Sequence, residues 1–214
     1  MKTVKKNIKS NQGFSLVELI IVIAIMAILA GAITIGIIRY INKARKSNDI
    51  NAAEAIGKSF QNSCLKDETM FDYLTELTTA PNMPDVPDDD HHYRILAYAR
   101  AVSGNAANGA MDFHLTNATI SSEFADVDVV KEFLIFLDDS LTPVKFRRSG
   151  KIDQWIIVAD TNHNICVYVG SGMSESVCYM SEDGKLDGTG QQCYKLWPTI
   201  DGVYDHFALP SDVP

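Results

Sequence analysis

The polarity of the chain changes sharply near its start. Residues 14–38, FSLVELIIVIAIMAILAGAITIGII, are apolar and contain one charged residue, Glu18. The twenty residues from Leu19 to Ile38 form about 30 Å of helix, which matches the hydrocarbon core of a bilayer. Past Ile38 the pattern becomes amphipathic. Residues 39–64 lack proline and are rich in helix formers. Ala53, Ile56, Phe60 and Cys64 recur at i, i+3, i+7 and i+11, which puts them on one helical face, with Lys58 and Gln61 pointing away. The pattern predicts one long helix, with a spanning first part and a second part packed on a domain.

Downstream, Pro81, Pro84 and Pro87 with Asp85, Asp88, Asp89 and Asp90 mark an acidic, turn-rich loop. Helices are expected over 68–77, 91–102 and 123–138, with a loop at 104–110. Sheet signals come late: VKFRR at 144–148, QWIIVA at 154–159, ICVYV at 165–169 and VCYM at 177–180 are β-branched or aromatic and bounded by turns. Residues 160–164 and 170–172 read as hairpin loops. A long helix followed by an antiparallel sheet is an α+β arrangement. The expected divisions are a leader at 1–13, a spanning helix at 14–38, its continuation at 39–64, a connecting region at 65–143, and a sheet region at 144–214.

Charge sharpens the picture. The chain carries 19 basic and 27 acidic residues, and four of the lysines fall in the first thirteen residues. Without that segment the balance is 15 to 27, a net charge of −12. So acidic a body has no electrostatic footprint for nucleic acid, and no nucleic-acid partner is expected. Lys2, Lys5, Lys6 and Lys9 precede the apolar run, while Arg39, Lys43, Arg45 and Lys46 follow it. With four against four, the positive-inside rule does not set the topology. The apolar run is too long for a secretory signal peptide, and no small-x-small cleavage site follows it. A plain membrane anchor leaves Glu18 unexplained, because a carboxylate in a membrane helix costs about 2.5–3.5 kcal/mol on insertion scales.

Gly13-Phe14-Ser15-Leu16-Val17-Glu18, with its short basic leader and following apolar run, resembles the type IV pilin signature. The resemblance covers residues 1–46. It implies a pilin fold, cleavage by a prepilin peptidase between Gly13 and Phe14, and N-methylation of Phe14. It places the leader on the cytoplasmic side and the domain outside, with a single-pass precursor in the bacterial membrane and then a surface filament. Its implied partners are other pilin subunits, the peptidase, the pilus assembly machinery and, before assembly, the membrane. It implies no enzymatic activity and no cofactor. Glu18 would receive the charged amine of Phe14 from a neighbouring subunit, which makes a buried carboxylate tolerable. The same N-terminus fits a pseudopilin of a type II secretion or DNA-uptake machine. A membrane-anchored enzyme or sensor is the reading from another class. Many pilins carry a proline about twenty residues into this helix. Here residues 31–36 hold Gly31 and Gly36 instead, giving a soft point in the helix or a close-packing surface.

Cys64, Cys166, Cys178 and Cys193 allow three pairings. Cys178 with Cys193 resembles the C-terminal disulfide loop of many pilins, leaving Cys64 with Cys166. The alternative is Cys166 with Cys178 and Cys64 with Cys193. No C-x-x-C pair points to zinc. Glu182, Asp183 and Asp187 sit in a glycine-rich loop without calcium-loop spacing. His91 and His92 beside Asp88, Asp89 and Asp90 read as exposed residues at a helix start rather than metal ligands. No metal site is expected.

Overall fold

The computed structural model describes residues 14–66, 92–101, 111–116, 141–148, 150–159 and 164–214. The chain divides into two units, Met1–Ile41 and Asn42–Pro214. Helix α1 runs from Leu16 to Lys66 without a break. The predicted long helix is therefore present, and it ends two residues later than expected. It stays helical through residues 31–36, although each glycine forgoes about 1 kcal/mol relative to alanine. Thr34 donates its hydroxyl to the Ala30 carbonyl at 2.6 Å in this stretch.

In the second unit the sheet strands are β1 (His92–Ala101), β2 (Met111–Leu115), β3 (Gln154–Ala159), β4 (Ile165–Gly170), β5 (Tyr179–Ser181) and β6 (Tyr194–Trp197). A short helix, α2, spans Gly202–His206. The strand order is β2-β1-β3-β4-β6, with β5 paired to one end of β1, and every strand pairing is antiparallel. A long helix with an antiparallel sheet is the expected α+β class.

Both faces of the sheet are covered. On one face Ala53, Ile56 and Phe60 of α1 share a core with Leu96, Ala97, Trp155, Ile157, Val167 and Leu196. On the other, Tyr98, Ile156, Val158, Cys166 and Tyr168 pack with Met173, Met180, Leu186 and Cys193 from the loops and β5. Double coverage explains why β3 and β4 are buried at every position and read as continuous apolar runs.

Several expectations need correction. Residues 92–101 are not a helix but the strand β1, paired with three others. Leu96, Ala97, Tyr98 and Ala99 are all buried, so both sides of the backbone face apolar layers and sheet packing overrides helix propensity. This strand and β2 lie within residues 65–143, so that region supplies part of the sheet as well as a connection. VKFRR forms no strand. The N–H groups of Lys145 and Phe146 go to the Asp49 carboxylate, and only Arg148 bridges back, to Ile152. Residues 170–172 close no hairpin, since β4 pairs with β3 and β6 while β5 pairs with β1. The β3–β4 hairpin is present, with Ala159 opposite Ile165. The expected helices at 68–77 and 123–138, the loop at 104–110, the acidic loop at 81–90, His91 and Gly13 lie outside the described residues.

Candidate assembly and processing site

The start of α1 is built by two side chains. Ser15 precedes the first helical residue, and its hydroxyl accepts the Val17 N–H at 3.3 Å. Glu18 reaches back, and its Oε2 accepts the Ser15 N–H at 3.0 Å. This reciprocal arrangement is a variant of the capping box, which satisfies donors that helix geometry leaves without intrahelical partners. The acid also sits at the positive end of the helix dipole. Phe14, immediately before the cap, is 88% exposed. Ser15-x-x-Glu18 is a local sequence signal for such a cap, whereas the expectation for Glu18 rests on its charge and on its spacing from Phe14 in the motif.

Along the first unit the apolar side chains from Leu16 to Ile41 are exposed. A Cβ added at Gly31 or Gly36 would meet nothing within 4 Å. No packing among the described residues requires glycine there. Helix α1 is long and apolar enough to cross a membrane.

In the second unit α1 turns a mixed stripe toward the sheet. Asn42, Lys46 and Asp49 are buried polar positions, followed by the apolar Ala53, Ile56 and Phe60. The Lys46 ammonium donates to the carbonyls of Tyr204 at 3.1 Å and Asp205 at 2.5 Å, near the C-terminal end of α2. It lies 5.6 Å from the Tyr204 ring centroid and 6.0 Å from that of Phe146. Burial pulls its pKa down, against the opposing pull of Asp205. Asp49 accepts the N–H groups of Lys145 and Phe146, each at 2.7 Å. Burial pushes its carboxyl up to about 6, more than those two donors restore. Burial and the neighbouring Asp49 charge raise the Tyr204 phenol. Gly57 touches the core where the Trp197 indole lies, and a Cβ there would overlap the ring. Sequence periodicity marks the apolar half of this stripe. It gives no signal for Lys46 and Asp49, which are ordinary surface residues by type.

Cys166, Cys178 and Cys193 are buried, and no disulfide joins any two of them. Cys193 and Cys166 belong to the core on the sheet face opposite α1, whereas Cys178 packs with Tyr179. Burial pushes the Cys193 thiol up to about 12. The Cys64 side chain lies outside the described residues. In the loop after β5, Asp183 receives the Lys185 ammonium at 2.6 Å and the Ser181 hydroxyl, and Asp187 accepts the Gly188 N–H.

A family model, the prokaryotic N-terminal methylation motif, matches residues 8–34. The chain carries the class III signal peptide of type IV pilin-like proteins. The match spans the end of the basic leader, the Gly13-Phe14 junction, the capped start of α1 and most of the apolar run. Within the matched motif, Phe14 and Glu18 thus lie together at the capped helix start. No curated protein and no solved structure matches the chain.

Proposed function

We propose that this pilin-like precursor is the structural subunit of a type IV pilus. A prepilin peptidase cleaves between Gly13 and Phe14 and methylates the new amine of Phe14. The leader holds the precursor in the membrane with the domain outside. After cleavage the apolar helix of one subunit packs among those of its neighbours, and Glu18 pairs with the Phe14 amine of another copy. The assembly machinery draws subunits from the membrane into the growing filament.

The observation that carries this reading is the exposed Phe14 beside a helix capped by Glu18, within the methylation motif. A carboxylate in an apolar segment needs a cationic partner once it leaves water, and cleavage creates one four residues away. The exposed apolar side chains of residues 16–41 supply contact area first for lipid and then for other copies. The acidic domain needs no ligand for this role, and the function is architectural rather than enzymatic.

Electron microscopy of the producing cells, with mass spectrometry of sheared filaments, tests the proposal. Surface filaments built mainly from this chain support it. Incorporation only as a trace component of a secretion apparatus would assign the chain to the pseudopilins instead.

A further inference from the structure

Among the described residues of the second unit, two large hydrophobic side chains stand exposed, Ile200 at 44% and Val203 at 56%. They flank Asp201, the N-cap of α2, whose carboxylate accepts the Val203 N–H at 2.7 Å. Tyr204 and Phe207 of the same segment are buried in the core shared with α1. The cap and the two buried rings fix the segment and leave Ile200 and Val203 on its outer side. Isolated apolar residues on a surface are ordinary. The place of this pair in the fold sets it apart.

Lys46 ties α2 to α1. Its ammonium donates to the Tyr204 and Asp205 carbonyls and lies 3.7 Å from the Asp205 carboxylate. Side chains of a helix lean toward its N-terminus, over the preceding turn. The α2 carbonyls therefore sit level with the turn that begins at Asn42, which is itself buried. Asn42 follows Ile38, the last residue of the apolar run, by four positions along α1. Four residues of helix rise about 6 Å. The headgroup layer on each side of a bilayer is about 5–7 Å deep. A run that spans the hydrocarbon core thus brings α2 to headgroup level.

Charge agrees with that depth. Arg39, Lys43 and Arg45 are exposed beside the end of the apolar run, where cations meet lipid phosphates. The two acids of the α2 segment are engaged, Asp201 in the cap and Asp205 with Lys46. We propose that Ile200 and Val203 are a lipid-contacting foot of the domain, seated among phospholipid headgroups while α1 is in the membrane. The inference rests on α1 spanning a bilayer. The foot adds a second, shallow contact to the deep one made by the helix. Interfacial anchors of this kind set the tilt and rotation of a spanning helix, so the foot would hold the domain in one orientation before assembly.

Tryptophan quenching tests this on the full chain in vesicles of phosphatidylcholine and phosphatidylglycerol, with bromine placed near the headgroup or near the acyl-chain end. The signal of the native Trp155 and Trp197 is subtracted. Ile200→Trp and Val203→Trp change exposed positions, and each should lose emission, more to shallow bromine than to deep bromine. Ile28→Trp, in the middle of the apolar run, should lose more to deep bromine. Lys58→Trp should lose none, because Lys58 is exposed on α1 twenty residues past Ile38, about 30 Å of helix. Quenching at position 28 with none at 200 and 203 overturns the foot and leaves the span standing. No quenching at position 28 overturns the span and the foot with it. Emission at 200 and 203 that shifts with the protein-to-lipid ratio and ignores bromine marks a contact between copies, which also overturns the proposal.

Discussion

Glu18 folds back along the first turn of α1 to accept the Ser15 backbone N–H at 3.0 Å. The residue proposed to pair with a neighbour's amine thus also caps its own helix. These roles separate by substitution. Glutamine occupies the same place in capping boxes, so Glu18→Gln should keep the helix start while removing the charge. Glu18→Ala removes both. Each variant should remain membrane-inserted and cleaved, and each should lose most filament assembly, scored by electron microscopy of sheared pili. Normal piliation with Glu18→Gln would show that capping, not charge, is what assembly requires.

Asp49 receives two backbone donors from the 141–148 segment. Asp49→Asn offers one carbonyl where two acceptors are needed, leaving a buried N–H unsatisfied at a cost of about 1–3 kcal/mol. Thermal unfolding of the full chain in detergent should register that loss near neutral pH. The folded carboxyl titrates at about 6 against an ordinary value of 3.8. Between these values the folded state binds the extra proton, so this group's contribution is complete below about pH 4 and is lost as pH rises through about 6. The span corresponds to roughly 3 kcal/mol at most. A stability profile in which Asp49→Asn flattens this fall matches the prediction. An unchanged slope would count against it.

Gly57 and Gly31 should respond oppositely to alanine. At Gly57 the added methyl overlaps Trp197, and overpacking of about 1–3 kcal/mol should outweigh the helix-propensity gain of about 1 kcal/mol. At Gly31 nothing lies within 4 Å. Gly31→Ala should therefore leave the subunit's stability intact or slightly improved. If residues 31–36 serve close helix packing between copies, the same variant will weaken filaments without weakening the subunit. Melting curves and filament yield, measured side by side, separate the two effects.

The Cys193 thiol should be inert in the native chain. The residue is buried and its pKa is pushed up to about 12, and the thiolate is the reactive form. Alkylation at about pH 8, below that pKa, followed by peptide mapping, should label Cys193 only after denaturation. Ready labelling of the folded protein would contradict the burial described.

Strands β3 and β4 are legible in the sequence because QWIIVA and ICVYV are continuous β-branched and aromatic runs between turns. Strand β1 is not, since HYRILAYARA carries leucine, alanine and arginine, and burial on both faces erases the alternation that marks a half-exposed strand. MDFHL and YKLW are too short to stand out. VKFRR has the composition of a strand, yet two of its N–H groups are claimed by Asp49, far earlier in the chain. That contact is tertiary and has no local signal. At the N-terminus the spacing of Gly13, Phe14 and Glu18 is readable because the processing motif is local. The Ser15 cap is local too, and its signal lies inside the same motif, where the charge of Glu18 overshadows it.

The most direct test is the N-terminus of the chain recovered from membranes of cells that contain a prepilin peptidase. N-terminal sequencing with intact mass should find a mature chain that begins at N-methylated Phe14 and lacks residues 1–13. A recovered chain that retains Met1 and the lysine-rich leader would contradict a pilin-like role.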